Sequence, residues 1–284
     1  MSIQLIQERL NAYNCASQQE EENALREITQ ELALAALSRS DFFKKAAFQG
    51  GTCLRIFHSL ERFSEDLDFM LRTPDQNFSF TPYIKNMASE FESYGYNLEV
   101  IDRSKAEDIV KKCFLKQDSL GQVLSLTHLK FKTNTAKIKI KLEVDTNPPE
   151  NSGFVNRFLD FPFPFSVTMQ DMPSLFSGKS HALLCREYTK SRDWYDFIWY
   201  ISHKIKMNWD FLSSALNQQG PWKGLKLKAE RNWYTGEIAK RIERIDWNTS
   251  KQEMLRFLKP TAVAGLDVWS KEFFLDRLNR LAKD

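Results

Sequence analysis

The sequence predicts an α/β fold of the α+β kind, with a mixed-sheet core followed by a mainly helical C-terminal domain. Three observations carry that expectation. Alternating apolar and polar positions recur at 62–71 and 123–145, as in half-buried strands. Beyond Ser177 the apolar residues fall three to four apart almost to the end. Between these regions, Pro148-Pro149-Glu150-Asn151-Ser152-Gly153 and Phe161-Pro162-Phe163-Pro164-Phe165 interrupt regular structure. The reading is a core with an N-terminal helix over 1–165 and a helical domain over 166–284.

Each element follows from its own pattern. Leu25, Ile28, Leu32 and Ala36 predict an amphipathic helix over 20–37. Gly50-Gly51-Thr52 is a turn, and Thr52-Cys53-Leu54 begins a short helix. From Arg62 to Leu71 the pattern is a strand, with Leu67, Phe69 and Leu71 on one face and Asp66, Asp68 and Met70 on the other. Thr73-Pro74-Asp75 ends it, and 82–95 is a helix stopping at Gly95. Residues 123–132 and 137–145 form a hairpin about Thr133-Asn134-Thr135, and turns near Gly220-Pro221 and Pro260 divide the C-terminal helices.

Composition narrows the function. The 284 residues include 40 Lys+Arg and 37 Asp+Glu, with a net charge of +3. That balance conceals −3 over 1–150 and +6 over 151–284, which hints at an anionic partner for the second half. No apolar run reaches the ~20 residues of a membrane span, and the first residues lack the apolar stretch of a leader. Cys15, Cys53, Cys113 and Cys185 are scattered without metal-ligand spacing, so neither a zinc site nor a disulfide framework is expected, and a reducing cytoplasm fits best.

The most informative chemistry is Gly50-Gly51-Thr52 followed by Asp66-Leu67-Asp68. On a strand both carboxylates project from one face, where a divalent cation relieves their repulsion; Mg²⁺ favours such oxygens together with phosphates. A Gly-Gly turn opening a helix presents free N–H groups to a phosphate. A D-x-D alone is common, and it is the glycine–helix–strand context that points to a nucleoside triphosphate and its metal. Lys137 to Asp145 alternates cleanly, with Glu143 and Asp145 on the polar face. Either could supply a third carboxylate, to a second metal or as a proton acceptor, depending on register. The alternative is a half-exposed strand whose lysines discourage edge pairing.

In the second half, Lys179 could meet a triphosphate as a point charge near a helix start, while Asp193 and Asp196 share a helical face with Tyr200 a turn on. Such pairs also serve to tie helices together. Between Pro221 and Arg244, Lys226, Lys228 and Arg231 are interleaved with Trp222, Trp233 and Tyr234, which suits RNA or equally a solvated helix face.

These blocks resemble the AbiEii/AbiGii nucleotidyltransferase family, toxins of bacterial type IV toxin–antitoxin and abortive-infection systems that include MenT-like enzymes. The resemblance runs through Phe48-Gln49-Gly50-Gly51-Thr52-Cys53-Leu54-Arg55, Arg62 to Phe69, Lys141 to Pro149, Leu175 to Arg186 and Arg192 to Asp196, covering roughly residues 20–200. It implies a DNA-polymerase-β-like nucleotidyltransferase core with a helical C-terminal domain. It further implies Gly50, Gly51 and Thr52 as the nucleotide loop with Ser64 close by, Asp66 and Asp68 as Mg²⁺ ligands, Lys179 as the triphosphate contact, and Asp193 or Asp196 as a further acidic residue. The strict pattern of the wider superfamily has Gly-Ser where this chain has Gly51-Thr52, and the hydroxyl is kept. The expected reaction is Mg²⁺-dependent transfer of NMP from an NTP, with a tRNA 3′ end as acceptor by resemblance and a cognate antitoxin encoded nearby. A protein or small-molecule hydroxyl is the alternative acceptor, and a non-catalytic RNA- or partner-binding module the alternative class.

Overall fold

A computed structural model describes residues 2–101, 119–128 and 138–283. In chain order the first part comprises α1 (Ser2–Asn11), α2 (Gln18–Ser38), α3 (Phe42–Lys45), β1 (Ala46–Gln49), α4 (Gly50–His58), β2 (Asp66–Leu71), α5 (Thr81–Ser93), β3 (Tyr96–Ile101), β4 (Ser119–His128), β5 (Ile138–Asp145), β6 (Phe154–Leu159) and β7 (Phe165–Gln170). The helices that follow are α6 (Met172–Cys185), α7 (Ser191–Ser202), α8 (Trp209–Gln218), α9 (Arg231–Ile242), α10 (Trp247–Met254), α11 (Pro260–Val263) and α12 (Lys271–Lys283). The strands form one mixed sheet in the order β3-β4-β5-β2-β1-β7-β6. Its centre, β2, lies antiparallel to β1 and parallel to β5, and β5 is antiparallel to β4. The chain divides into two compact units. The first comprises 1–58, 63–148 and 155–169; the second comprises 59–62, 149–154 and 170–284.

In the first unit the sheet buries Leu67, Phe69 and Leu71 of β2 beside Ile140, Leu142 and Val144 of β5. Phe78, Phe80 and Tyr83 pack around Phe42, whose ring meets that of Phe69 edge to face with centroids 4.9 Å apart. The helix expected over 20–37 spans 18–38 and is capped by Ser17, which accepts from the Glu20 N–H at 3.2 Å. It is not a half-exposed helix, because every residue from Glu27 to Leu37 is buried. Its polar residues meet that cost with partners. Arg9 reaches Glu31 at 2.7 Å, Tyr13 donates to Glu27 at 2.9 Å, and Gln30 donates to the Ser64 carbonyl at 3.1 Å.

Several boundaries differ from the sequence expectations. The strand begins at Asp66 rather than Arg62, because Arg62 belongs to the second unit, where its guanidinium finds a buried carboxylate. The glycines are the first residues of α4 rather than a turn before it. Strands β4 and β5 form the expected antiparallel pair, while the turn at 133–135 and Cys113 lie outside the described residues. Strands β6 and β7 were not expected; the proline-rich run hid them, since β7 begins only after Pro164.

The second unit is helical around an aromatic core of Trp194, Trp247, Trp269 and Phe274. Phe176 stacks on Tyr200 with centroids 4.6 Å apart, fixing α6 against α7. Among the described residues no helix is long and apolar enough to cross a membrane.

Candidate active site

The first unit's candidate site starts where β1 passes into α4. Gly50 has φ +80°, in the left-handed region, and a Cβ placed there would sit 2.5 Å from Asp68 Oδ2. Glycine therefore serves twice, permitting the turn and letting the Asp68 carboxylate lie against the backbone at the start of a helix. Opposed strand residues share a face, so Asp68 stands beside Gln49 on one side and Glu143 on the other, with Asp66 opposite Lys141. Asp66 and Asp68 are both half-buried, two residues apart on that face.

Register separates the two candidate third carboxylates. Glu143 lies opposite Asp68, whereas Asp145 lies opposite Met70, one step further along the face. Asp145 is buried and accepts from the Asn147 N–H at 3.1 Å, so it secures the turn after β5. The Glu143 carboxylate is paired with the Lys141 ammonium on the same strand face. Among the described residues, no three His, Cys, Asp or Glu side chains gather as a ready metal cluster. Asp66 and Asp68 are oxygen donors on this face, with Glu143 opposite Asp68 on the neighbouring strand.

Thr52 is fully buried, and its hydroxyl donates to the Asp66 carbonyl, tying α4 to β2. In the structure that hydroxyl therefore positions the strand. Ser64 is half-exposed and offers its carbonyl to Gln30.

The remaining candidates form a network within the second unit. Lys179 lies in the middle of α6, not near its start. Its ammonium contacts Asp193 Oδ1 at 2.7 Å and Asp196 Oδ2 at 2.8 Å. Arg62 grips Asp196 with two bonds of 2.6 Å, and Arg186 pairs with the other oxygen of Asp193. Burial raises the cost of ionising Asp193, yet Lys179, Arg186 and Lys190 outweigh it and hold its carboxyl far below the usual range. Burial likewise opposes ionisation of Asp196, and Arg62 and Lys179 overcome it. The sequence reading had Lys179 and both aspartates but missed Arg62 and Arg186. The signal was available: two acids one turn apart on an apolar helix need more cations than one lysine supplies. The His181 ring lies against the Gln219 carbonyl at 3.3 Å.

Lys226, Lys228 and Arg231 are exposed at the approach to and first residue of α9. Lys228 is 82% exposed, with only a loose 3.7 Å contact to Glu230. Tyr234, by contrast, is wholly buried and shares a hydrogen bond with Ser180, so it belongs to the core.

A family model described as "Nucleotidyl transferase AbiEii toxin, Type IV TA system" matches residues 32–277. Among solved structures, MenT4, a nucleotidyltransferase toxin from Mycobacterium tuberculosis H37Rv, is similar over 99% of both chains at 14% identity with a TM-score of 0.53. JHP933 from Helicobacter pylori is similar over 95% of this chain and 92% of its own, at 15% identity and a TM-score of 0.49. No curated protein matches the sequence.

Proposed function

The chain belongs to the AbiEii family of nucleotidyltransferase toxins of type IV toxin–antitoxin systems, and from that premise we propose that it moves NMP from an NTP to the 3′ end of a tRNA. The observation that carries the catalytic part is the pair Asp66 and Asp68 on one face of β2, with Asp68 against Gly50 at the start of α4. Two aspartates offer hard oxygen donors that fit Mg²⁺, and Asp66 and Asp68 would hold it. When bound there, Mg²⁺ supplies charge neutralisation at the phosphates.

The chain's own residues do the rest. The N–H groups of Gly50 and Gly51 open α4 toward phosphate oxygens, with Thr52 holding that helix to the strand and Ser64 preceding the two aspartates. The acceptor hydroxyl attacks the α-phosphorus, the bond to pyrophosphate breaks, and the hydroxyl proton passes to Glu143, Asp68's neighbour on β5. Asp145 keeps the end of β5 in place. Within the second unit Asp193 and Asp196 hold the ammonium of Lys179, the residue that the family resemblance makes a triphosphate contact. The exposed Lys226, Lys228 and Arg231 contribute attraction for the RNA backbone. A cognate antitoxin, the expected partner of a toxin of this type, restrains the enzyme.

The test incubates the protein with Mg²⁺, total tRNA and each α-labelled NTP in turn, beside Asp66→Ala. The expected result is label on tRNA with one nucleotide and none from the variant, whose melting temperature stays close to the parent's. Label on protein or on a small hydroxyl compound would overturn the tRNA assignment. Undiminished transfer by Asp66→Ala would overturn the site.

A further inference from the structure

The second unit contains a cavity of about 180 Å³ between the C-terminal ends of α6 and α9 and the beginning of α7. Four of its lining side chains are cationic: Arg186, Lys190, Arg241 and Arg244. Two are acidic, and one of them, Asp193, is already neutralised by Lys179 and Arg186. The other, Glu187, is exposed. Positive charge therefore exceeds what the walls themselves balance.

The cations are not equivalent. Arg241 donates to the carbonyls of Leu184 and Arg186, closing the open end of α6, and Arg186 is committed to Asp193. Lys190 and Arg244 make no side-chain hydrogen bond or ion pair within 4 Å among the described residues. Burial, followed by the charges of Arg186, Arg192 and Lys179, pushes the Lys190 ammonium below its ordinary value even with Asp193 near. A folded chain that holds a poorly solvated ammonium among guanidinium groups keeps a place for an anion.

We propose that this cavity binds a phosphate group of a polynucleotide, with Lys190 and Arg244 as its direct contacts. A polymer is favoured over a free phosphate by what adjoins the cavity. Tyr188, 42% exposed on the lining, offers a ring to an adjacent base. Lys240, next to the lining residue Arg241 in the last turn of α9, is exposed and carries its charge at the surface, where it pairs with Glu237 at 2.6 Å. The inference deepens the reading of an RNA acceptor but uses side chains to which that reading gives no catalytic part.

The experiment measures binding rather than turnover, so its failure is separable from failure of the proposed reaction. The full chain and the Lys190→Gln/Arg244→Gln variant are titrated with total tRNA across a salt series without NTP, and separately with ATP and Mg²⁺. The expected result is a roughly tenfold weaker tRNA complex whose slope of log affinity against log salt falls by about 1, with ATP binding unchanged. Lys190→Arg/Arg244→Lys should restore most of the affinity, and both variants should melt with the parent. Unchanged tRNA affinity and slope would overturn the proposal, as would weakened ATP binding with tRNA binding intact.

Discussion

Replacing Asp196 by alanine tests whether this aspartate is structural. Its carboxylate is fully buried, held by two 2.6 Å bonds from Arg62 and one 2.8 Å contact from Lys179. Removing it takes from Arg62, whose side chain is 2% exposed and cannot shed its proton, the carboxylate that it grips with two bonds. Breaking a buried pair from one side costs about 3–5 kcal/mol, because the remaining charge keeps its desolvation penalty. At about 2–4 °C per kcal/mol, the melting temperature should fall by roughly 6–20 °C. Thermal and urea unfolding of Asp196→Ala, Asp196→Asn and the double variant Arg62→Met/Asp196→Leu would measure it. The double variant should recover much of the loss, since no charge is left orphaned. The folded carboxyl titrates below its unfolded value, so its stabilisation is present above the ordinary carboxylate range and disappears as pH falls through the folded value. The gap between the parent and Asp196→Asn should therefore close in acid. An Asp196→Ala protein melting within about 2 °C of the parent would refute the reasoning, and a fully stable but inactive Asp196→Asn would make this a catalytic residue.

Two further outcomes follow from the first unit. Gly50→Ala should cost about 1–2 kcal/mol for its left-handed backbone. It should reduce transfer activity far more, because the new methyl displaces Asp68 Oδ2 from 2.5 Å; retained activity in the labelling assay would argue against Asp68 as a ligand. Glu31 is pushed up to about 7, chiefly by burial, with the neighbouring Glu27 adding to it against the pull of Arg9. The folded state thus holds a proton that the unfolded chain has released, so stability should fall as pH rises from about 4.5 to 7, by at most about 3 kcal/mol. Chemical denaturation across that window should show the decline, and Glu31→Gln should flatten it.

The fold class and much of the candidate face were legible because they depend on local pattern. Alternation alone put Asp66 and Asp68 on one face of a strand and paired β4 with β5. What stayed hidden depended on partners distant in sequence. The burial of α2 on all sides could not be read from its spacing, since Glu27, Gln30 and Glu31 look like a solvated face until Tyr13, Ser64 and Arg9 meet them. Glu143 and Asp145 could not be ranked without a register that only pairing with β2 provides. Arg62 looked like the start of a strand because alternation carries no information about a carboxylate 134 residues away.

That separation bears on how the chain is made. Arg62 leaves the ribosome long before Asp196, and four residues ahead of the strand bearing Asp66. Until the second turn of α7 has been synthesised, its guanidinium lacks the carboxylate that it grips in the folded chain, so the link between α4 and β2 cannot take its final course during early translation. The second unit is likewise no detachable cassette. A fragment of 170–284 lacks both 59–62 and 149–154, and would bury Asp196 without the arginine that matches it. Chimeras with relatives joined at 169/170 should fold only when the residue at position 62 travels with its aspartate.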